Sequence, residues 1–299
     1  MKIAFLVLAH DRPSHLGRLL QAISDEDCRA FVHIDAKSDI AQFKLPPGVN
    51  AQFTRHRIPV YWGEYSQVEA ILHLIQEAKS YKGTEFDYFV LLSGADYPLA
   101  SLQQIKTYLG AAQNQVFIDT APMPTKTKPL KRLSHFVPSR DMVLRRRLFE
   151  MTSPFLRFLI RRPFKKHLAP FEPYGGGTWW ALPLRAIDHI TDVVETHPGM
   201  VNFFKNTICP DEMFFQTILC NWPDVGPINP CLTYTDWSAG GKNPAMISQH
   251  HIDIMKSGHV LRTRNSSQTK RKALFARKFP DNSQDLVQQI TEIQNTKPS

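Results

Sequence analysis

Cysteine pairs, long apolar runs and acidic residues are all scarce in this chain, and each shortage closes off a class of protein. Its 299 residues include four cysteines, Cys28, Cys209, Cys220 and Cys231. They are widely spaced and form no CxxC pair, which argues against a disulfide framework, a zinc ribbon or a redox motif and fits a reducing compartment. None has an activating neighbour in sequence, so a cysteine nucleophile is not expected. No stretch approaches the roughly 20 apolar residues of a membrane-spanning helix. The opening MKIAFLVLAHDRP meets charge and proline after a short apolar run, so it reads as a buried strand rather than a signal peptide. Carboxylates are outnumbered, 27 acidic residues against 36 lysines and arginines, giving a net charge of +9. Such a surface attracts anions: a nucleotide diphosphate, a membrane surface, an acidic glycan or a nucleic acid. There is no internal repeat and no recognisable nucleic-acid-binding module, so no nucleic-acid partner is expected.

What is present is an ordinary apolar fraction of 42 % arranged in alternating strand and helix patterns. Lys2 to Ala9 predicts a strand buried on both faces of a parallel sheet. Ser14 to Ile23 carries Leu16, Leu19, Leu20 and Ile23 at helical spacing. A second apolar run, Ala30 to Ile34, ends in Asp35, so a polar side chain stands at a strand's carboxyl end, where open α/β sheets meet nucleotides. Helix is predicted again over 66–80, strand over 88–92 and 115–119, strand over 175–182 and helix over 184–196. A further helix is expected to begin at Pro210-Asp211-Glu212 and run to about Asn221, with Pro210 in its first turn and both carboxylates at its positive end. The tail is polar apart from Leu274 to Phe279 and an amphipathic helix around 284–293. Between 121 and 173 prolines and arginines crowd together, and this excursion is expected to hold one basic helix around Met142 to Leu159.

Eight blocks stand in one order: LAHDRPSHLGRLLQAI at the start, VHIDAKS at 32–38, WGEYSQVEA at 62–70 and LLSGADYPL at 91–99, then GGGTWWALPLRAIDHI at 175–190, PDEMFFQTIL at 210–219, TYTDWS at 233–238 and LFARKF at 274–279. Together they resemble the core-2/I-branching β-1,6-N-acetylglucosaminyltransferases and peptide O-xylosyltransferases over nearly the full length apart from the basic excursion. The resemblance implies a GT-A-like nucleotide-binding sandwich, α/β in class, with a central, mostly parallel sheet flanked by helices. It implies one catalytic domain over 1–299: a nucleotide-binding half at 1–120, the basic excursion at 121–173, and an acceptor and catalytic half with its tail at 174–299. The activity implied is inverting transfer from a UDP-sugar, with N-acetylglucosamine first and xylose or another hexose as the alternative. The acceptor would be a hydroxyl of a glycan or lipid-linked glycan. The UDP-sugar enters as substrate; no resident cofactor and no divalent metal are implied.

Site residues follow from the same blocks. Glu212 stands where the family keeps its catalytic base, and direct displacement at an anomeric carbon needs such a carboxylate to take the acceptor's proton. Asp211 is left to cap the helix or orient its neighbour. Arg277 and Lys278 are the candidates for neutralising the departing diphosphate, Lys278 matching the family's lysine. A second family arginine is sought at Arg262 or Arg264. The sole DxD, Asp25-Glu26-Asp27, reads as an acidic turn rather than a metal site. Asp35 matches the uracil-binding position, with His33 and Lys37 beside it, and is equally suited to a strand-end turn. His10 and Arg12 close the first strand; Tyr61, Trp62 and Gly63 fit a wall around the base or ribose. Asp96 fits either the donor sugar or a structural turn, and Asp236, Trp237 and Ser238 fit the donor side. Gly175, Gly176 and Gly177 permit close backbone approach, and either Trp179 or Trp180 could stack on an acceptor sugar. His250 and His251 lack a completing ligand set and are not taken as metal ligands.

The basic segment from Lys126 to Lys166, mixed with Leu148, Phe149 and Phe155, reads either as a solvated helix or as a membrane-surface binder. Peripheral contact with an anionic membrane is therefore a further expectation. The likeness is to compact bacterial members, without the membrane anchor and lumenal disulfide-rich domain of eukaryotic relatives. The expected location is the cytoplasm at the inner face of the cell membrane, in surface-polysaccharide assembly. A basic nucleic-acid or membrane-surface binding protein without enzymatic activity is the rival reading.

Overall fold

In the computed structural model, which describes residues 1–140, 143–151, 161–240, 243–261 and 272–296, the first apolar run forms strand β1 (Ile3–Ala9). Its side chains alternate between two cores. Ala4 and Leu6 face one, and Ile3, Phe5, Val7 and Ala9 face the other. Both faces of the strand are thus covered, which is why the run is continuous rather than alternating. Helix α1 (Pro13–Ala22) follows, with proline in its first turn and Leu16, Leu19 and Leu20 buried. Strand β2 (Cys28–Ile34) lies parallel to β1 with Phe5 opposite Ala30, and β3 (Ala51–Phe53) extends the same edge. Helix α2 (Ser66–Lys79) crosses back over the sheet. Strand β4 (Tyr88–Ser93) then pairs in parallel with the opposite side of β1, Phe5 meeting Val90.

After the short β5 (Asp96–Pro98), helix α3 (Leu102–Ala111) begins in a capping box in which Ser101 and Gln104 satisfy each other's backbone N–H groups. Strand β6 (Val116–Ile118) leads to β7 (Ala121–Pro122) and the excursion, which holds α4 (Lys131–Ser134), α5 (Val143–Met151) and α6 (Phe164–Leu168). The chain returns through β8 (Tyr174–Gly175), paired with β7, and β9 (Trp180–Pro183). Helices α7 (Leu184–Thr196), α8 (Pro198–Lys205) and α9 (Phe214–Cys220) come next, then β10 (Ile228–Asn229) and β11 (Thr233–Thr235). Helix α10 (Gln249–Lys256), β12 (Phe275–Arg277) and α11 (Gln284–Thr296) complete the fold.

The large sheet runs β10-β6-β9-β4-β1-β2-β3 and is parallel except around β9. It is an α/β fold with a mostly parallel sheet covered on both faces. Helices α2, α7, α8 and α9 bury one face; α1 and α3 bury the other. A small sheet, β11-β12-β5, carries a third core of Tyr97, Ile252, Phe279 and Ile290.

Two expectations need correction. Pro210-Asp211-Glu212 is a 3₁₀ turn, not the first turn of the following helix; Met213 leaves helical geometry and α9 starts at Phe214. The glycine-rich block splits into β8 and β9 around an irregular stretch. Of the helix expected over 142–159, residues 143–151 form α5; 142 and 152–159 lie outside the described residues, as do Arg262 and Arg264.

The small sheet is bolted to the large one through His15 on α1. Its Nε2 donates to the Asp96 carbonyl at 2.9 Å, its Nδ1 accepts from the Ser283 hydroxyl at 2.6 Å, and its ring stacks on Phe279. Burial lowers its pKa to about 4. Between about pH 6.5 and about pH 4 the unfolded chain binds a proton there that the folded chain refuses. Stability from this group is therefore complete above the unfolded pKa and falls with acidification, by up to about 1.4 kcal/mol per pH unit. Urea unfolding of His15→Gln across that window should show the wild-type advantage shrinking as pH falls. A constant difference would contradict a buried neutral imidazole.

Candidate active site

In an open parallel sheet, ligands sit outside the carboxyl ends of the strands where successive connections diverge to opposite sides. Here that point is the end of β1, flanked by β2 on one side and β4 on the other. Gly94 follows β4 and packs so closely on β1 that a Cβ there would lie 2.7 Å from the Ala9 Cβ. Two non-glycine residues hold left-handed backbone at the same end of the molecule: Arg12 after β1 (φ 58°) and Cys209 before the 3₁₀ turn (φ 49°). Each costs on the order of 1–2 kcal/mol, and such strain collects where a site needs a side chain aimed against local preference.

The acidic wall is built on the turn 210–212. Glu212 Oε2 receives Lys128 Nζ and Arg132 Nη1, each at 2.5 Å. Both cations come from the excursion, Lys128 from the approach to α4 and Arg132 from α4 itself. The Glu212 backbone is fixed as well, its carbonyl accepting from Gly176 N at 2.9 Å. Gly176 must be glycine, because a Cβ would lie 1.5 Å from the Asp119 carbonyl oxygen. Gly177 packs against the Asp119 carboxylate, with 3.4 Å from an ideal Cβ to Oδ2. Burial raises the pKa of that carboxyl, an effect offset by the Cys231 N–H that it accepts. Asp211 points away from Glu212 into the protein, where Thr178 Oγ1 (2.8 Å) and Gln67 Nε2 (3.2 Å) donate to it. Burial first and the charge of Glu212 second push Asp211 up to about 6. Asp211 therefore orients the turn, and Glu212 is the carboxylate that faces the crevice.

The basic wall stands on the small sheet, whose register sets Thr235, Arg277 and Asp96 in one row. Arg277 lies between Asp96 (Nε to Oδ1, 3.5 Å) and the face of Trp179, 4.1 Å from the ring centroid. Asp96 is fully buried and its oxygens accept from Ser93 N and Oγ, so it is a structural counter-ion beneath the crevice rather than an open sugar contact. Burial raises its pKa and Arg277 pulls it back. Lys278 is part-buried; desolvation, then the nearby charges of Arg12 and Arg277, lower its pKa. Three cations thus converge, and Arg12 also pairs with Asp11 at 2.5 Å. Trp180 is 2 % exposed and belongs to the core, so the aromatic face available at this wall is Trp179. Asp236 accepts from Ser238 N at 2.8 Å and from His251 Nε2 at 3.2 Å, and these hydrogen bonds lower its pKa, Ser238 foremost. Trp237 beside it is exposed.

At the third side, Asp35 follows β2. Its Oδ1 accepts from Lys37 N (2.9 Å) and Val60 N (3.3 Å), while Lys37 Nζ stands 3.5 Å from Oδ2 and 4.3 Å from the Tyr61 ring centroid. Arg57 ties this loop together through the carbonyls of Ile34, Asp35 and Ser38. His10 joins it too, its carbonyl accepting from Ser38 Oγ and its ring largely exposed. His33 does not reach the crevice: it is 1 % exposed, accepts from Ile58 N at 2.8 Å, and has its pKa lowered to about 4 by burial. Trp62 does not wall the Asp35 loop; Tyr61 does, and Trp62 is 81 % exposed. The circuit closes where Cys209 N donates to the Gly63 carbonyl at 2.8 Å, next to the acidic wall.

Sequence reasoning missed Lys128, Arg132, Asp119, Thr178, Gln67 and His251. The first two were visible only as part of a basic segment; their contacts with Glu212 span 84 and 80 residues. The acidic triplet Asp25-Glu26-Asp27 sits at the amino end of β2, opposite the crevice, where Asp25 and Asp27 hold Lys106.

Comparison with known proteins gives a concordant result. The profile of the Core-2/I-Branching enzyme family matches residues 3–260. Xylosyltransferase 1 of Canis lupus familiaris is 26 % identical over 80 % of this chain and 24 % of its own length. Xylosyltransferase 2 of Rattus norvegicus is 25 % identical over 98 % of this chain and 33 % of its own length. The chain thus spans about a quarter to a third of these curated relatives. A solved 4-diphosphocytidyl-2C-methyl-D-erythritol synthase from Anaerococcus prevotii aligns with a TM-score of 0.31 at 11 % identity, covering 69 % of this chain and 84 % of that one, too loosely to argue from.

The glycine approach is directly testable. Gly176→Ala should lower the melting temperature sharply or prevent folding, because the Asp119 backbone cannot retreat. Gly199→Ala, at a helical glycine with nothing within 4 Å of the added Cβ, should be neutral or stabilising by about 0.4–1 kcal/mol. Equal melting of Gly176→Ala and wild type would rule out this packing.

Proposed function

The chain belongs to the Core-2/I-branching enzyme family, and on that premise we propose that it is a metal-independent, inverting glycosyltransferase of GT-A type that moves a sugar from a UDP-sugar to a glycan hydroxyl. The observation that carries this reading is the short run 176–179, which holds an oriented carboxylate, Glu212, at one end and places Trp179 under Arg277, beside Arg12 and Lys278, at the other. Glu212 takes the proton of the acceptor hydroxyl as its oxygen attacks the anomeric carbon. The bond to the diphosphate breaks on the opposite face of the sugar, and the configuration inverts. The charge that develops on departing UDP falls on Lys278 and Arg12, with Arg277 behind them. Preorganised positive groups of this kind are worth about 10²–10³ in rate each.

Lys128 and Arg132 have a different task. They hold the Glu212 carboxylate in place, one oxygen fixed by two charged hydrogen bonds. Both bind Oε2, which leaves Oε1 for the acceptor among the described residues. Asp35, Lys37 and Tyr61 are the proposed base-binding corner, His10 lies beside the loop that carries it, and Asp236, Trp237 and Ser238 flank the donor side. Gly176, Gly177 and Trp179 border the acceptor. The first choice of donor is UDP-N-acetylglucosamine; UDP-xylose is the second reading, favoured by the names of the curated relatives. The likeness to compact bacterial members supports a role in surface-polysaccharide assembly on the cytoplasmic side.

The test is thermal-shift binding to UDP, UDP-N-acetylglucosamine, UDP-xylose and GDP, with EDTA and with Mn²⁺, followed by transfer assays. A UDP-selective shift that survives EDTA is expected; a shift that follows any polyanion equally would overturn the reading. Glu212→Gln should keep the UDP shift and lose transfer by about 10²–10⁴-fold, and turnover comparable to wild type would reject Glu212 as base. Lys128→Met removes one of the two charged hydrogen bonds that orient the carboxylate. It should therefore lower kcat by about tenfold or more while leaving the donor KM nearly unchanged, and an unchanged kcat would reject the positioning role.

A further inference from the structure

Among the described residues, large hydrophobic side chains that remain exposed are few, and they are unevenly placed. Trp62 is 81 % exposed, Met151 83 %, Leu148 56 % and Ile208 40 %. Isolated exposed apolar residues are ordinary, whereas a group of them ringed by charge marks a contact surface. They form two pairs on either side of Glu64. Trp62 lies two residues before it, and a Cβ on the intervening Gly63 would be 3.9 Å from Ile208. Arg146 anchors α5 by donating to Glu64 Oε1 at 2.9 Å, and Leu148 and Met151, three residues apart, share the opposite, outward face of that helix.

The charge around the group has one sign. Glu64 is held by both Arg140 and Arg146, and Glu150 pairs with Arg146, so the local carboxylates are neutralised within the surface. Exposed Arg147 and Lys205 stand at its margin. Lys205 belongs to it because Arg162 donates to the Phe203 carbonyl and to Thr207, the residue before Ile208. Tryptophan and long apolar side chains among arginines suit the headgroup region of a bilayer, where the apolar part enters the acyl boundary and the cations meet anionic lipid. No helix among the described residues is long and apolar enough to cross a membrane, so contact at this face is peripheral.

We propose that the surface of Trp62, Leu148, Met151 and Ile208 docks the protein on an anionic lipid bilayer, so that the acceptor reaches the crevice from the membrane plane. Position supports the second half. The Gly63 carbonyl, beside Trp62, accepts from Cys209, whose own carbonyl accepts from Glu212 N. The docking face and the carboxylate therefore share one rigid turn, and a hydroxyl on a lipid-carried glycan would be presented beside Glu212. This part rests on the transferase reading; the lipid contact does not.

The experiment is co-sedimentation of the full chain with vesicles of phosphatidylglycerol and phosphatidylcholine and with phosphatidylcholine alone, alongside the UDP thermal shift. Wild type should pellet with the anionic vesicles, less so at high salt, and remain free of the neutral ones. The double variant Leu148→Glu, Met151→Glu should lose vesicle partition at least about tenfold, since each change withdraws an apolar side chain from the acyl boundary and adds a charge that anionic lipid repels. It should keep its UDP shift. Met246→Glu, an exposed apolar position outside the group, should bind vesicles as wild type does. Vesicle binding unaffected by the double variant, or displaced by a soluble anionic polysaccharide at equal charge, would make the surface a polyanion site and overturn the proposal. Absent vesicle binding with an intact UDP shift would overturn docking and spare the transferase; vesicle binding without any UDP shift would do the reverse.

Discussion

The close approach of the 175–177 backbone to the end of β6 governs the arrangement of the crevice. It is possible only because Gly176 has no Cβ to meet the Asp119 carbonyl. From that contact the Gly176 N–H holds the carbonyl of Glu212, Thr178 holds the neighbouring Asp211, and Trp179 is delivered under Arg277. Four consecutive residues thus tie the acidic wall to the basic one. A shift of this strand would move both ends of the proposed reaction at once, and positioning errors of about 1 Å are enough to cost a large factor in rate.

Charge is distributed so that the crevice stays positive although several carboxylates line it. Asp96 is buried beneath Arg277, Asp211 is turned inward and pushed up to about 6, and Asp11 is occupied by Arg12. Each acid either neutralises a cation that cannot leave or titrates toward its uncharged form. Lys278 and part of the Arg12 charge remain for an incoming anion. Desolvation of Lys278 and the charges of Arg12 and Arg277 disfavour its ionised form, a penalty that the diphosphate of the proposed donor would relieve.

Sequence periodicity made the scaffold legible where local rules act alone. The unbroken apolar run of β1, the helical spacing in α1, α2 and α7, and the polar residue after β2 all lie where pattern places them, within one or two residues. It failed where tertiary contacts decide. Proline and two acids at 210–212 have the composition of a helix start, yet the left-handed backbone at Cys209 and the break at Met213 make them a separate turn. His33 lies within β2 and is held by Ile58 N, whereas Asp35 lies just past the strand's end, where its carboxylate accepts from Lys37 N and Val60 N; no periodicity rule separates the two. Lys128 and Arg132 could not be matched to Glu212 by any short-range rule, since excursion and turn meet only in the folded chain.

The excursion itself changes meaning once folded. As a sequence it is a run of arginines open to one explanation at a time, solvated helix or membrane binder. In the structure its cations divide by position. Lys128 and Arg132 face inward to the carboxylate of Glu212, and Arg162 spans the carbonyls of Leu133 and Phe203. Arg140 and Arg146 clamp Glu64, and Arg147 and Arg161 stay at the surface. One basic segment therefore supplies the grip on the proposed base, the bolt that holds the excursion to α8, and an outward charged rim. The excursion is thus pinned to the body at two separate carboxylates, with Lys128 and Arg132 on Glu212 and Arg140 and Arg146 on Glu64, and the side chains that pin it are not the ones that form its outer rim.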